Sequence, residues 1–441
     1  MPQATFNFPP GFVWGTATAA HQVEGNNTNN TWYAWENTPG HIKNGDKSGL
    51  ACDWWGGRWK EDMDRAAEAG QNAHRFSIEW SRIQPAADRW DEDALDHYRQ
   101  MAQGMVQRGL APMVTLHHFT DPLWLAEQGG WENDETPLKF AVYVRRVAEA
   151  LKEYVSMWIT INEPNVYTAS GYFFKDFPPG KSDLGAAYKV LRNLLRGHGA
   201  AYRAIHEVQK TARVGYAHNH RPFFPSHGWS PLDRLAAGFA NQSFNFAFPE
   251  TLRTGTLNFA TKRARLPEVV NTQDFFGLNY YTTVNISITS TAGSNFLVQS
   301  LPKGFETGDA GLTAMVPEGL FASIKWANRY NLPIYITENG IEDAADLVRP
   351  RYLVRHVHQL WRAINFNWPV KGYFHWSQVD NFEWERGWSQ RFGLWGLDPE
   401  TQVRIRRPSV DIYAAICRTN SISSEMVEKY APSLMPILFP G

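Results

Sequence analysis

Two glutamates in this sequence each follow a short run of apolar and β-branched residues. Glu163 comes just after the run 158–161, and Glu338 comes directly after the run 334–337. Such runs predict buried β-strands, so both carboxyl groups are expected at strand ends. Two carboxyl groups that meet in one site can cleave a glycosidic bond, because one holds a proton for the leaving oxygen while the other attacks the anomeric carbon or activates water. Burial and mutual repulsion would separate their pKa values, as these two roles require.

Polar and aromatic side chains also follow the other predicted strands. A single polar residue after a strand is usually a loop or cap residue, and a single buried histidine usually belongs to the core. When all eight strands end in such residues, the pattern predicts one shared cavity, because the reaction site of an α/β barrel lies at the carboxyl ends of its strands. Besides the two glutamates, these residues are His21, Gln22, Glu24, Arg75, Glu79, His117, His118, Asn162, His218, Asn219, Asn279, Tyr280, Tyr281, Asn339, His375, Trp376, Asp380, Glu383 and Trp384.

The elements that must position these residues alternate regularly. Strand-like runs are predicted at 12–19, 73–80, 112–118, 157–162, 212–219, 275–281, 333–338 and 372–379. Helices are predicted at 54–69, 92–108, 137–154, 184–208, 317–330, 352–367 and 408–417. These repeats predict an α/β fold, a (β/α)8 TIM barrel that forms a single domain over 1–441, with the polar segment 282–316 as a loop insertion over the barrel mouth. A doubly wound sheet is the alternative, although its glycine-rich dinucleotide turn is missing.

The bulk composition excludes several classes of partner. The 441 residues carry a formal net charge of −1, so we expect no nucleic-acid partner, whose binding needs a basic face. No apolar stretch is long enough to span a membrane, and no secretion signal is visible, which together with only two cysteines predicts a cytoplasmic protein. The 19 tryptophans are unusual. Indole rings fill cores, but they also stack on the apolar faces of sugars.

Six motifs carry a resemblance to a known family. They are FVWGTATAAHQVEG at 12–25, HRFSIEWSRI at 74–83, TINEP at 160–164, GLNYY at 277–281, ITENG at 336–340 and WSQVDNFEWERGW at 376–388. With these motifs in this order, the chain resembles glycoside hydrolase family 1, the family of β-glucosidases and β-galactosidases. The resemblance implies a retaining exo-β-glycosidase that hydrolyses terminal non-reducing β-linked sugars by double displacement, without a cofactor or a metal ion.

The resemblance also implies roles for individual residues. Glu163 would be the acid/base and Glu338 the nucleophile. Arg75 and Tyr281 would hold the nucleophile, with Asn279 as a further supporting residue. The residues implied in substrate binding are Gln22, His118, Asn162, Tyr281, Trp376, Glu383 and Trp384. Among them, Asn162 would contact the 2-hydroxyl, Trp376 would form the stacking floor, and Glu383 with Trp384 would bind the 4- and 6-hydroxyls.

Two positions bear on the choice of substrate. An acidic Glu383 would repel a 6-phosphate group, so neutral sugars are expected instead of phosphorylated ones. The residues 313–316, which precede Pro317, lack the aromatic platform that family members often carry, so a leaving-group side that is more open or differently lined is expected. The expected partner is a small-molecule β-glycoside such as cellobiose or an aryl glucoside. The sequence leaves open whether the sugar is glucose, galactose or fucose, and whether the chain forms a homo-oligomer.

Other functions compete with this interpretation. An endo-acting glycanase with two carboxylates would lack the closed pocket that Gln22, Glu383 and Trp384 imply. A non-catalytic sugar-binding barrel would lack one of the two glutamates. A metal-dependent hydrolase fits poorly, because adjacent His117 and His118 point to opposite faces of a strand and no HExxH motif occurs. A Schiff-base aldolase would need a lysine near a strand end, and the predicted barrel strands have none there.

Overall fold

Eight parallel strands close into a barrel in this protein. The structure is a computed structural model, and it describes residues 4–289 and 297–440. Each barrel strand lies beside its neighbours in the sequence, and the last strand pairs with the first. The predicted TIM barrel is therefore confirmed, and each predicted strand run overlaps one barrel strand. In chain order, the strands are β1 Val13–Ala17, β2 Ala73–Ser77, β3 Ala111–Thr115, β4 Met157–Asn162, β5 Arg213–Asn219, β6 Phe276–Asn279, β7 Ile334–Asn339 and β8 Val370–Trp376.

Longer helices follow the barrel strands. They are Trp59–Glu68, Glu92–Gln107, Thr136–Leu151, Leu184–Val208, Pro231–Ala240, Ala247–Thr254, Pro317–Ala327, Arg349–Asn365 and Ser409–Thr419. The sequence pattern did not predict the two helices after β5. A π-helical stretch, Asn241–Phe246, joins them, and its wider turn moves the apolar residues out of the 3.6-residue period. Within the described ranges, none of the helices is both long and apolar enough to cross a bilayer.

Short elements connect the barrel units. The short helices are Ala20–Val23, Thr31–Glu36, Trp80–Ile83, Leu123–Glu127, Pro164–Ala169, Ser424–Tyr430 and Met435–Leu438. The 3-10 turns are Lys43–Gly45, Gly130–Glu132, Pro267–Val269, Asn328–Tyr330, Trp384–Arg386 and Pro432–Leu434, and Ser170–Phe174 is a π turn. Three small antiparallel sheets pair Thr5–Asn7 with Ser421–Ser423, Thr256–Phe259 with Lys262–Arg265, and Trp395–Leu397 with Arg404–Arg406.

The segment 282–316, expected as a loop, contains two strands. Val284–Ile288 pairs antiparallel with Leu297–Ser300 and parallel with Phe223–Pro225, which follows β5. Residues 290–296 of the predicted insertion lie outside the described residues. The resulting three-stranded sheet carries its own small apolar cluster beside the barrel.

Caps and aromatic packing fix the helices around the barrel. The side chain of Asp91 accepts a hydrogen bond from the backbone N–H of Ala94 at 2.9 Å, and Asp183 caps the helix Leu184–Val208 in the same way. Such caps satisfy backbone donors that a helix start leaves free. Between barrel and helices, the rings of Trp80 and Tyr143 stack with centroids 5.0 Å apart. The strand ends are thereby held by a rigid shell.

Candidate active site

A large cavity opens at the carboxyl ends of the barrel strands. It encloses about 2010 Å³, including its open mouth. Most of the residues predicted for the site line it, namely His118, Asn162, Glu163, Tyr281, Glu338, Trp376, Glu383 and Trp384. The structure places Arg75, Asn279 and Gln22 behind the cavity wall, where they contact the lining residues. The predicted site residues therefore come together, in two layers.

An irregularity in β4 turns Asn162 and Glu163 toward the cavity. The register of β4 against β5 shifts between Ile159 and Asn162. Thr160 and Asn162 would share a face in a regular strand. Instead, the hydroxyl of Thr160 lies 2.7 Å from His198 on an outer helix, whereas Asn162 contacts Arg75 inside the barrel. Bulges of this kind redirect side chains next to active sites.

The backbone of Glu163 adopts a left-handed conformation. Its φ is 44° and its ψ is 59°. For a residue with a side chain this conformation costs roughly 1–2 kcal/mol, so the surrounding structure must enforce it. The N–H of Glu163 donates to the carbonyl of Ala217 at 2.8 Å, and Pro164 begins a short helix directly afterwards. The sharp turn between strand and helix fixes the position from which the carboxyl group enters the cavity.

The carboxyl group of Glu163 is surrounded by neutral donors. Its Oε1 accepts hydrogen bonds from the side-chain amides of Asn219 and Asn279, each at 2.8 Å. The pKa of Glu163 is raised to about 7. Burial is the largest cause of this increase, and the negative charge of Glu338 is the second. The two amides and the more distant Arg221 act in the opposite direction. Because both amides bind Oε1, a proton on this carboxyl group is carried by Oε2.

Glu338 has the opposite surroundings. Nη1 of Arg75 donates to Oε1 of Glu338 at 2.6 Å, and the hydroxyl of Tyr281 donates to Oε2 at 2.6 Å. A guanidinium and a hydroxyl thus each bind one oxygen of this carboxyl group and fix its orientation. The charge of Glu338 contributes to raising the pKa of Tyr281 well above its usual range, after burial of the phenol as the main cause. The Tyr281 hydroxyl therefore remains a donor.

Asn162 joins the two carboxyl groups through a hydrogen-bond network. Its Oδ1 accepts from Nη2 of Arg75 at 2.6 Å and from Nδ2 of Asn279 at 3.2 Å. Arg75 also binds Glu338, and Asn279 also binds Glu163. The network thus fixes the two glutamates relative to each other, because the side chains that connect them are themselves held by further hydrogen bonds.

Aromatic rings form part of the cavity wall. The indole of Trp384 lies nearly parallel to the imidazole of His118, with centroids 5.9 Å apart, and meets Phe119 edge-on at 5.3 Å. The rings of His118 and Trp376 lie 6.2 Å apart. Planar rings that face a cavity suit the apolar faces of a sugar.

The imidazole of His118 presents a hydrogen-bond donor. Burial, followed by the nearby charge of Arg75, holds the pKa of His118 well below its usual range, so the ring is neutral. Nε2 lies 3.0 Å from the amide nitrogen of Asn162, which can only donate. The proton of the ring is therefore assigned to Nδ1, which is buried and has no hydrogen-bond partner among the described residues.

Gln22 lies behind Glu383 instead of on the cavity wall. It is fully buried, and its Nε2 donates to Oε2 of Glu383 at 3.2 Å and to the carbonyl of Phe382 at 2.8 Å. The substrate contact that the resemblance implies for Gln22 stays a prediction, and its Oε1 has no hydrogen-bond partner among the described residues. Burial raises the pKa of Glu383 well above its usual range, and the charges of Glu385 and Glu338 add to this effect.

Several cavity residues were missing from the predicted site. Asn219 ends β5 and was expected in the shared cavity, as observed, but the resemblance gave it no role in the site. Arg221, two residues further, also lines the cavity. Phe244 lies in the π-helical stretch and Phe177 in a loop, where no sequence signal pointed to the cavity. The described residues contain no group of three or more His, Cys, Asp or Glu side chains that could hold a metal ion.

The fold and the site together define a class of protein. A closed (β/α)8 barrel presents two carboxyl groups of unlike surroundings to one cavity, with aromatic rings on one side. One carboxyl group is buried among neutral amides, and the other is held by a cation. This arrangement of functional groups is typical of a glycoside hydrolase that uses two carboxyl groups.

Comparisons with known proteins identify the family. The model of glycosyl hydrolase family 1 matches residues 4–422. Beta-glucosidase A of Thermotoga maritima is 35% identical, over 94% of this chain and 98% of its own length. A solved beta-glycosidase from Pyrococcus horikoshii superposes with a TM-score of 0.89 at 36% identity, covering 97% of this chain and 98% of that chain. The beta-glucosidase from Thermotoga maritima in complex with glucoimidazole gives a TM-score of 0.89 at 34% identity, covering 95% and 100%. The chain belongs to glycosyl hydrolase family 1 and is a glycoside hydrolase.

Proposed function

We propose that this protein is a retaining exo-β-glycosidase that removes the terminal sugar from β-glucosides, and also from β-galactosides and β-fucosides. The observation that carries the proposal is the contrast between two glutamates in one cavity. Glu163 is buried among amides and has its pKa raised to about 7, whereas Glu338 is bound by Arg75 and Tyr281. A protonated acid and a charged nucleophile are the two parts that double displacement needs.

In the first step, Glu338 attacks the anomeric carbon. The bond between this carbon and the leaving oxygen breaks, and its electron pair goes to the oxygen, which takes the proton from Glu163. The products of this step are a free alcohol and a covalent glycosyl-enzyme in which Glu338 is an ester. Arg75 and Tyr281 hold the attacking carboxylate in place until the bond forms.

In the second step, the surroundings of Glu163 change because the ester carries no charge. The charge of Glu338, which contributes to raising the pKa of Glu163, is then absent, while the amides of Asn219 and Asn279 still favour the charged form. Glu163 therefore suits the role of a base that removes a proton from water. As the proton moves to Glu163, the water oxygen attacks the anomeric carbon, and the bond from this carbon to Glu338 breaks with its electron pair returning to the carboxylate, so two inversions give net retention.

The wall of aromatic rings and Glu383 would bind the terminal sugar. We propose that Asn162 contacts the 2-hydroxyl and that His118 donates from Nδ1 to a neighbouring hydroxyl. Trp376 would stack on the sugar, and Glu383 with Trp384 would bind the 4- and 6-hydroxyls. Gln22 acts on the sugar through Glu383, whose carboxylate it positions.

The position of Glu383 supports neutral sugars and action at a chain end. Glu383 and Glu385 both line the cavity there, and burial already disfavours negative charge on them by raising their pKa values, so a 6-phosphate would bring further negative charge to an unfavourable place. Cello-oligosaccharides and aryl glucosides are therefore the proposed substrates. We also propose a cytoplasmic location, since Cys52 and Cys417 are free and buried, as is usual in a reducing compartment.

The test is the hydrolysis of p-nitrophenyl β-D-glucoside, followed by NMR from the first minutes. Early β-glucose is the expected result, because double displacement keeps the configuration. Early α-glucose would contradict the proposal and assign Glu338 the role of a base. A second assay with cellopentaose separates exo from endo action: glucose should appear first, whereas a mixture of short oligosaccharides would indicate an endo-acting glycanase.

A further inference from the structure

A buried carboxyl group lies outside the active-site cavity, close to the strand that ends before Glu163. Asp121 lies shortly after β3 and is 3% exposed. Its Oδ1 lies 3.0 Å from Nε2 of His117 and accepts a hydrogen bond from Nε1 of Trp131 at 3.0 Å, and its Oδ2 accepts from the hydroxyl of Tyr167 at 2.6 Å. Burying a carboxylate is costly unless hydrogen bonds compensate for the lost water. The proposed mechanism gives this group no function.

The contacts of Asp121 join the end of β3 to the helix that follows the acid. Tyr167 belongs to the helix Pro164–Ala169, which begins directly after Glu163. The charge of Asp121 contributes to raising the pKa of Tyr167 well above its usual range, after burial of the phenol as the main cause. The phenol therefore remains a donor. Because a carboxylate can only accept, the proton of His117 that faces it is assigned to Nε2.

Backbone hydrogen bonds close these contacts into a ring around the end of β4. The N–H of Asn162 donates to the carbonyl of His117 at 2.8 Å, and the N–H of Tyr167 donates to the carbonyl of Glu163 at 3.0 Å. The side chains of His117 and Tyr167 meet on the two oxygens of Asp121. We name these five residues the Asp121 ring. The ring encloses the peptide bond between Asn162 and Glu163.

The backbone that the Asp121 ring encloses has an unfavourable conformation. Glu163 has a φ of 44° and a ψ of 59°, and a residue with a side chain keeps such a conformation only where its surroundings enforce it. Among the residues that the structure describes, Val166 and Ala169 of the following helix line the cavity, whereas Tyr167 and Asp121 do not. The ring therefore acts on Glu163 from behind the cavity wall, through the backbone.

We infer that Asp121 is a positioning residue for the acid Glu163. The inference rests on the proposed function, because it concerns the proton that Glu163 delivers to the leaving oxygen. The amides of Asn219 and Asn279 hold only Oε1 of Glu163, so the position of Oε2 depends on the backbone that the ring holds. An acid must lie within hydrogen-bond distance of the atom that it protonates, and a small displacement lowers the rate. Glu338 ends a different strand and lies outside the ring, so its attack should change much less.

Removal of one hydroxyl from the Asp121 ring tests this inference. In Tyr167→Phe, kcat/KM for methyl β-D-glucoside should fall by about tenfold, because this leaving group needs the proton. kcat/KM for p-nitrophenyl β-D-glucoside should change by less than about twofold, since p-nitrophenolate leaves without a proton. Equal losses for the two substrates, or no loss for either, would overturn the inference. A purely structural role of the ring would give equal losses.

A matched control is the same exchange at another buried tyrosine. The hydroxyl of Tyr413 donates to the carbonyl of Gly15 in β1, outside the Asp121 ring. Tyr413→Phe should leave the ratio of the two kcat/KM values at the wild-type level. If Tyr413→Phe changed this ratio as much as Tyr167→Phe, the effect would not belong to the ring and the inference would be overturned.

Substitutions of Asp121 itself provide a second test, which also serves if Tyr167→Phe does not fold. Asp121→Asn keeps one acceptor and Asp121→Leu keeps none, so the ratio of p-nitrophenyl to methyl kcat/KM should rise in both variants and more in Asp121→Leu. A wild-type ratio in both variants would overturn the inference.

Glu163→Ala, measured in parallel, separates the inference from the proposed function. It should lose far more activity on the methyl glucoside than on the p-nitrophenyl glucoside. If Glu163→Ala shows this difference while the ring variants do not, the inference alone is overturned. If Glu163→Ala loses both activities equally, the proposed role of Glu163 fails, and the inference fails with it.

Discussion

Glu163 and Glu338 face the same cavity, yet the barrel surrounds them with different groups. A guanidinium from Arg75 and a hydroxyl from Tyr281 bind both oxygens of Glu338. Around Glu163, two neutral amides bind a single oxygen, and burial is the largest influence on its pKa. The same type of side chain thus has two different surroundings, as the two proposed roles require.

The difference also shows how the two roles depend on each other. The charge of Glu338 is one of the causes that raise the pKa of Glu163. A change at Glu338 therefore acts on both groups, whereas a change at the amides acts on Glu163 first. Substitutions around Glu163 and around Glu338 should therefore change the kinetics in different ways.

The largest effect is expected from Glu338→Gln. The amide cannot form the glycosyl ester, so kcat should fall by at least about 10⁴-fold for every substrate. The measurement is steady-state hydrolysis of p-nitrophenyl β-D-glucoside, with circular dichroism as the check on folding. The control is Glu207→Gln, the same exchange at an exposed helix residue, which should retain full activity. Substantial turnover by Glu338→Gln would show that another group is the nucleophile.

Glu163→Ala should give an effect that depends on the leaving group. Poor leaving groups need the proton, so kcat/KM for methyl β-D-glucoside should fall by about 10²–10⁴-fold. p-Nitrophenolate leaves without a proton, so kcat/KM for its glucoside should fall much less. Added azide should restore turnover and yield β-glucosyl azide, because the second step then needs no base. An equal loss for both substrates, without rescue by azide, would contradict the role of Glu163.

Tyr281→Phe should lower activity less than the two glutamate substitutions, because it removes a single hydrogen bond to Glu338. It removes one hydrogen bond to a charged group, which is worth about 1.5–3 kcal/mol, so kcat/KM should fall by about 10- to 100-fold. In contrast to Glu163→Ala, the loss should be similar for methyl and p-nitrophenyl glucosides, and azide should not restore it. A loss that follows the leaving group would place Tyr281 on the acid side.

Sequence patterns predicted the barrel because strands and helices alternate with clear periods. They also predicted that Glu163 and Glu338 follow two strands and meet in one cavity, as the structure shows, whereas their catalytic roles stay a prediction. The bulge in β4 and the left-handed conformation of Glu163 could not be predicted, because both depend on pairing with β5. They are features of the backbone that no residue type in the sequence specifies.

An apolar pocket beside the cavity was harder to predict for a related reason. Its lining includes residues of the π-helical stretch Asn241–Phe246, of two strands of the segment 282–316 and of the helix Leu184–Val208. These parts are distant in sequence, and the first two lack a regular period. The hydrogen bonds from Gln22 to Phe382 and Glu383 could not be predicted, because they depend on the loop after β8.

The smallest effect is expected from Asn219→Ala, and it concerns the pH profile. Glu163 must be protonated to act as the acid, and its raised pKa of about 7 predicts that kcat/KM falls as the pH rises through about 7. The amide of Asn219 stabilises the charged form. Its removal should raise the pKa further and move the basic limb of kcat/KM upward by roughly one pH unit. Asn365→Ala, at an exposed helix end, is the control that should leave the limb in place.

The direction of this shift separates the two halves of the site. A loss of the donor to Glu163 stabilises the acid form, so above pH 7 Asn219→Ala should lose less of its own maximal activity than the wild type. Tyr281→Phe removes a donor from Glu338 instead, and should lower kcat/KM without an upward shift of the basic limb. If the basic limb of Asn219→Ala stayed in place or moved to lower pH, the amide of Asn219 would not influence the pKa of the acid group in this enzyme. The basic limb would then report a group other than Glu163.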